Sequence, residues 1–160
     1  MAHLQTKNLT LIPQTAEDVR AQLNEMDAEQ RAQLSPDWLA RVHAVTVDQW
    51  TLGFTVKHRV TEVVIGKCGF KGPPGADGTV EIAYMIEPEH QGNGYATEAA
   101  GALVVFAFNS GQVRLVRAHT LPESNASTRV LTKSGFRHIG EVIDPEDGLV
   151  WRWEKHSEAT

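Results

Sequence analysis

The stretch Val80-Glu81-Ile82-Ala83-Tyr84-Met85-Ile86-Glu87-Pro88-Glu89-His90-Gln91-Gly92-Asn93-Gly94-Tyr95-Ala96-Thr97-Glu98-Ala99 changes character twice. Val80 to Ile86 reads as a strand, with Glu81, Ala83 and Met85 on one face and Ile82, Tyr84 and Ile86 on the other. Pro88 forbids its continuation in a central ladder position. After Gln91-Gly92-Asn93-Gly94, the pattern from Tyr95 to Phe108 is helical and rich in Ala, Leu and Val, with Gly111 placed to end it in the left-handed conformation. Val113 to Thr120 is again a strand, so strand, glycine turn, helix and strand imply a right-handed parallel crossover. Such glycines either allow a tight bend or leave backbone N–H groups free at a helix N-terminus, whose dipole favours an anion. Residues 81–100 contain no Lys or Arg, so an anion there is held by amides.

The familiar nucleotide loops do not fit. Gly92-Asn93-Gly94-Tyr95-Ala96-Thr97 lacks the third glycine of a dinucleotide fingerprint, and residues 99–122 contain no Asp or Glu for a ribose. Gly-Lys-Ser and Gly-Lys-Thr, the ends of a Walker-type loop, are absent.

Outward from this unit, Asn8 to Ile12 reads as a first strand and Thr15-Ala16-Glu17-Asp18 as a capping box opening a helix to about Asp27. Ser35-Pro36 restarts a second helical region bearing Trp38, Leu39 and Val42. Trp50 to Lys57 and Val63 to Phe70 read as a hairpin. Ser124 or Asn125 caps a short helix through Lys133, ended by Gly135. Phe136 to Val142 and Leu149 to Glu154 form a last hairpin around Asp144-Pro145-Glu146-Asp147-Gly148. The expected fold class is α/β (α+β), in a single domain over residues 1–160 with 156–160 as a frayed tail.

Composition bounds the function. The 160 residues carry 15 basic and 20 acidic side chains, a net charge of −5, which lowers nucleic acid in rank as a partner. Residues 101–140, with five basic side chains and one acidic, form the one clearly positive stretch: a solvated face or an attraction for an anionic ligand. The longest apolar run, Ala99 to Phe108, is too short for a bilayer, which needs ~20 residues. The first residues lack an apolar signal core, and one cysteine excludes an intrachain disulfide framework. A cytoplasmic protein without a membrane or nucleic-acid partner is expected, as monomer or homodimer. The histidines show no metal-like clustering, and no metal is expected. Cys68 reads as a packed core thiol.

The segment from Val80 to Ala99 closely resembles the acyl-CoA motif of the GNAT acetyltransferase superfamily, Gln91-Gly92-Asn93-Gly94-Tyr95-Ala96 matching its Arg/Gln-x-x-Gly-x-Ala/Gly core. Asn125-Ala126-Ser127-Thr128-Arg129-Val130-Leu131-Thr132-Lys133-Ser134-Gly135-Phe136 resembles a helix of its ribosomal-protein N-terminal acetyltransferase (RimJ/RimL-like) branch. The resemblance implies a mixed, mostly antiparallel sheet of about seven strands with a central splayed parallel pair and about four helices. It implies acetyl-CoA as co-substrate, its pyrophosphate on the amides of Gly92, Asn93, Gly94, Tyr95 and Ala96, with Gln91 and Thr97 in the same loop. The pantetheine arm would pair with the backbone near Met85 and Ile86, and Asn125 would make a further contact unless it is only the helix cap. Arg129, Lys133 and Arg137 are alternatives for the phosphates.

The implied reaction is attack of a neutral amine on the acetyl thioester. An α-amino group, with a reference pKa near ~8, is partly neutral at pH 7, whereas a lysine near ~10.4 is almost wholly protonated. Glu81 matches the Glu of the branch's Glu-Ile-Gly-Tyr pattern and is the first candidate for base or substrate positioning, the alternatives being an ion pair with Arg114 or Arg117, or solvation. His119, near the end of the next strand, is the second. The slot where many members carry a proton-donating Tyr holds Leu131, so no acid is assigned. Of Trp38, Trp50, Phe54, Trp151 and Trp153, one or two are expected to reach substrate. The favoured acceptor is a protein or peptide N-terminal amine. A polyamine, amino acid or antibiotic is the alternative, and a non-catalytic acyl-CoA-binding module the reading from another class.

Overall fold

A computed structural model describes residues 3–43 and 48–157. The strands are β1 (Leu4–Gln5), β2 (Leu9–Pro13), β3 (Phe54–His58), β4 (Val64–Phe70), β5 (Thr79–Ile86), β6 (Leu115–Thr120), β7 (Arg137–Asp144) and β8 (Gly148–His156). The helices are α1 (Ala16–Glu25), α2 (Ala28–Ala32), α3 (Pro36–Val42), α4 (Gln49–Leu52), α5 (Tyr95–Asn109) and α6 (Ala126–Lys133), with a 3-10 turn over Pro88–His90. One eight-stranded sheet, ordered β1-β2-β3-β4-β5-β6-β8-β7, is antiparallel except between β5 and β6.

The mixed sheet with one central parallel pair is as the sequence implies, with differences at its margins. The eighth strand is the two-residue β1, too short to leave a pattern. The extra helices come from residues 28–52, which break into three short ones under Asp27, Ser35 and Asp48 caps. Trp50 therefore stands in a helical turn rather than a strand: Asp48 accepts from the Thr51 N–H, Gly53 ends the turn at φ 71°, and Trp50, Thr51 and Leu52 are buried in succession where a strand would alternate. At the other end, His156 still pairs with Leu115, so β8 runs into the expected tail, whose last residues, 158–160, lie outside the described ones.

The local signals that do set element ends are physical. Thr15 accepts from the Asp18 N–H at 3.0 Å and Asp18 returns the bond to the Thr15 N–H at 3.1 Å, closing the capping box of α1. α6 ends with Gly135 at φ 85°, its N–H on the Thr132 carbonyl and the Phe136 N–H on Leu131, a Schellman arrangement.

Two cores result. The larger packs Ala99, Ala100, Leu103, Val104 and Ala107 of α5 against Leu9, Phe54, Val56, Ile65 and Ile82 of the sheet. Cys68 is part of it, and burial pushes its thiol up to about 12, which makes it inert. The smaller joins Val19, Leu23, Val42 and Leu52, with Trp38 and Leu39 against them. It holds α1, α3 and α4 together as a separate wall.

The feature that positions the site is the short parallel ladder. It contains only Thr79↔Leu115, Val80↔Val116 and Glu81↔Arg117, although β5 continues to Ile86 and β6, still paired to β8, to Thr120. On its other edge β5 bonds β4 through odd-numbered residues: the Lys71 N–H reaches the Glu81 carbonyl, and the Glu87 N–H reaches Ile65. Since antiparallel pairs alternate, Ile82, Tyr84 and Ile86 turn their peptide groups into the gap beside β6.

Candidate active site

β5 lines two hollows. The first, of about 360 Å³, is a groove walled by Tyr84, Met85 and Ile86, the glycine turn, and α6. Eight of the ten residues expected at a cofactor face it: Met85, Ile86, Gln91, Gly92, Gly94, Tyr95, Ala96 and Thr97. Gln91 lines it while its Nε2 donates to the Ile86 carbonyl at 2.8 Å, tying the turn to the strand end. The side chain of Asn93 is folded into the turn, donating to the His90 carbonyl at 3.1 Å, and Asn125 caps α6 by accepting from the Thr128 N–H at 3.1 Å; neither lines the groove. Ser127, Arg129 and Lys133 do, whereas Arg137 does not.

The floor of this groove suits an anion attached to a long chain. Gly92 and Gly94 both have φ near 82°, and a Cβ built on either would meet nothing within 4 Å: it would project into free space that a ligand can use. No side chain caps α5, so its first N–H groups stay open. Two cations, Arg129 and Lys133, stand across from them, and the unpaired edge of β5 continues the line. Tyr84, half-buried, aims its hydroxyl at the Ser127 carbonyl at 3.5 Å, and burial raises its pKa. Leu131 is fully buried in the core and contributes no group here.

The second hollow, about 630 Å³, lies between α3, the end of β4, the outward face of β5 and the β7–β8 turn. Glu81 and Ala83 form its inner wall. Glu81 is not paired with Arg114 or Arg117; Arg117 is held by Glu154 at 2.8 Å. Its partners are Lys71 Nζ at 2.9 Å and His119 Nδ1 at 3.0 Å. His119 is nearly sealed, and its Nε2 receives the Arg152 Nε–H at 3.1 Å. A guanidinium only donates, so Nε2 carries no proton and the ring's N–H is on Nδ1, facing Glu81. Both ring nitrogens are thus engaged, and His119 orients Glu81 rather than offering a lone pair to substrate.

Lys71 bridges Glu81 and Asp147, 2.9 Å from each. Burial lowers its pKa, but the hydrogen bonds and charges of Asp147 and Glu81 outweigh that and hold the ammonium above its usual range. Asp144, whose Oδ1 lies 4.0 Å from His119, is disfavoured as an anion by burial, yet the Asp147 and Glu146 N–H groups more than offset this and keep it below the usual carboxylate range. Glu81, His119 and Asp144 converge within 4.8 Å, but the positive charge such a set would gather is already supplied by Lys71. Trp38 lines this hollow and donates its Nε1–H to the Thr51 carbonyl at 2.9 Å. Trp50 and Phe54 are core, and Trp151 and Trp153 pack on His138.

The sequence pattern of the acetyltransferase (GNAT) domain matches residues 8–137. The chain belongs to the GNAT acetyltransferase family. Among curated relatives, an uncharacterized N-acetyltransferase of Bacillus licheniformis, p20, is 28% identical over 69% of this chain, and the match spans 62% of p20's length. Among solved structures, the ribosomal-protein-S5-alanine acetyltransferase of Vibrio fischeri superposes with a TM-score of 0.69 at 15% identity, covering 99% of this chain and 98% of that one. An aminoglycoside acetyltransferase solved with coenzyme A gives 0.63 at 17% identity over 92% and 94%. These likenesses show the fold. No helix among the described residues is long and apolar enough to cross a membrane.

Lys71, Asp144, Asp147 and Arg152 are the site residues that sequence reading missed. The one signal, for Asp144 and Asp147, was the run of three carboxylates at 144, 146 and 147, read only as turn chemistry.

Proposed function

We propose that this GNAT-family chain moves the acetyl group of acetyl-CoA to a primary amine, with a protein or peptide N-terminal amine as the acceptor. The observation that carries the reading is that one strand, β5, lines both a groove built for a chain with anionic groups and, at Glu81, a charged hollow. Acetyl-CoA, when bound, supplies the acetyl thioester. The amides from Gly92 to Ala96, with Arg129 and Lys133, suit its phosphates, and the open peptide groups of Tyr84 and the N–H of Ile86 suit its extended arm. The likeness to a neighbour solved with coenzyme A supports this placement.

Glu81 then receives the acceptor. As a carboxylate fixed by the His119 N–H, it accepts a hydrogen bond from the amine and takes its proton directly or through water. An α-amine near ~8, partly neutral at pH 7, asks less of any base than a lysine near ~10.4 does. Likeness to the Vibrio fischeri enzyme, which acts on a ribosomal-protein alanine, points the same way.

The test joins two measurements. Acetyl-CoA at ~100 times its dissociation constant should raise stability by ~2.7 kcal/mol, and an N-terminal peptide should then release CoA. Stabilisation without release from any amine would leave a binding module; no stabilisation of the folded chain would remove both.

A further inference from the structure

β7 is the long strand at a rim of the sheet, and its free side is open to another chain. Which of its peptide groups face outward follows from the ladder. The Ser157 N–H reaches the Arg114 carbonyl, so odd-numbered residues of β8 bond β6 and even-numbered ones bond β7. Val150 and Gly148 therefore engage Val142 and Asp144, and the N–H and C=O groups of Glu141 and Ile143 point away from the sheet. The Ile143 side chain is 82% exposed, and Leu149, opposite it in the register, 51%. A bulge between His138 and Gly140 confines the usable edge to residues 140–144.

A second observation indicates what covers this edge. Charge is polarised along the strand, with Lys133 and Arg137 at its start and Asp144, Glu146 and Asp147 at its end. Among the described residues neither Arg137 nor Glu146 has an ion-pair partner. An antiparallel strand of the same sequence lays a positive start on a negative end twice over, so the surface is complementary to itself.

The side chains also select the register. Paired edges set outward-facing residues against each other. An axis at Glu141 puts that carboxylate opposite its own copy, and like charges directly opposite repel. An axis at Ile143 puts Glu141 opposite Pro145, which has no N–H to give. An axis at Val142 sets Glu141 against Ile143 in both directions, with all four donors and acceptors matched. It also draws the exposed Ile143 and Leu149 of both copies together, and brings each Arg137 alongside Glu146 and Asp147 of the other.

We infer that a second copy of this chain pairs antiparallel with β7 across a twofold axis at Val142, joining the two eight-stranded sheets into one. Glu146 and Asp147 also line the second hollow, so the other copy stands at its rim. The inference is independent of the acetyl-transfer reading.

The test follows the full chain by sedimentation velocity from micromolar to submillimolar concentration, with amide hydrogen exchange at both ends of that range. A reversible monomer–dimer equilibrium is expected, and the Glu141 and Ile143 amides should gain protection as the dimer fills. Ile143→Pro removes an outward N–H without removing a bond of the β7–β8 ladder, and Ile143→Asp sets a carboxylate beside Glu141 of the other copy. Each should leave the chain monomeric throughout, with its unfolding temperature close to that of the unaltered monomer. Arg137→Glu should weaken association by about tenfold, and added salt should weaken that of the unaltered chain. A chain that is monomeric at every concentration overturns the inference. So does a dimer that survives both Ile143 variants, or one that forms without protecting the Glu141 and Ile143 amides.

Discussion

The two hollows along β5 are made of different material. The groove is built of backbone: two left-handed glycines, the open N-terminus of α5 and one unpaired strand edge, all within residues 84–97, with α6 closing it. The second hollow is built of side chains brought from four separated segments, and its central contacts span 38, 33 and 76 residues of sequence. Backbone of this kind suits a ligand with anionic groups. Side chains on loops and helix ends are free to differ, and they set what distinguishes one acceptor from another.

The sharpest way to break this contrast is Glu81→Gln. It should leave cofactor stabilisation intact and slow transfer by about 10²–10⁴-fold, the ordinary range for a lost acid–base group. An unchanged pH–rate profile in this variant would remove Glu81 from the proton path.

Gly94→Val attacks the other side. A branched side chain at φ 82° is strained, and its Cβ fills space that is open beside the helix N-terminus. The ~2.7 kcal/mol of stabilisation by acetyl-CoA at ~100 times its dissociation constant should disappear. Stabilisation that persists in thermal unfolding would mean that the glycine backbone is not the anchor.

A smaller effect is expected at Arg152→Leu. Without the guanidinium on Nε2, the His119 ring is free to take the other tautomer and loses its hold on Glu81. Transfer should fall by about tenfold, roughly one hydrogen bond to a charged group. Stabilisation by acetyl-CoA should stay intact while transfer falls, a split that simple unfolding would not give.

The smallest effect is structural and lies away from both hollows. Glu98, in the first turn of α5, accepts from the Thr6 hydroxyl at 2.7 Å and from the Asn8 N–H and side chain at 2.9 and 2.7 Å. Burial raises its pKa, but these bonds more than offset that and bring it below the usual carboxyl value of 4.5. A depressed folded pKa means stability that is present above the ordinary value and is lost as pH falls through the folded one. Glu98→Gln should therefore cost about 1–2 kcal/mol at neutral pH. In denaturant titrations that gap should narrow in acid.

The same contrast explains what the sequence disclosed. The groove was legible because its parts are consecutive: an alternating strand, a proline stop, two glycines and a helix leave their marks within twenty residues. Glu81 and His119 were legible singly, since each lies on a readable strand. Their relationship was not. His119 is engaged at both nitrogens because Arg152 stands at Arg152↔His119 in the β6–β8 register, and no local pattern reports the register of strands 33 residues apart. Lys71 follows β4 and meets Glu81 only through the β4–β5 ladder. Trp50 misled for the opposite reason: its β-favouring character lost to the Asp48 cap and the Gly53 stop.

The early end of the β5–β6 ladder has one more consequence. An unpaired strand edge at the rim of a sheet is a template for another protein chain, and sheets usually keep such rims short. Here the outer strands are β1, of two residues, and β7, of eight, while the open edge of β5, centred on Tyr84, sits in the middle of the sheet. It is flanked by a β6 that remains paired to β8, and α6 shares the groove it opens into. A protein strand, with side chains on alternating sides, is too broad to reach it; a slender unbranched chain is not. The fold thus carries a sticky edge without the aggregation hazard that such an edge brings, by placing it where only a thin guest can pair.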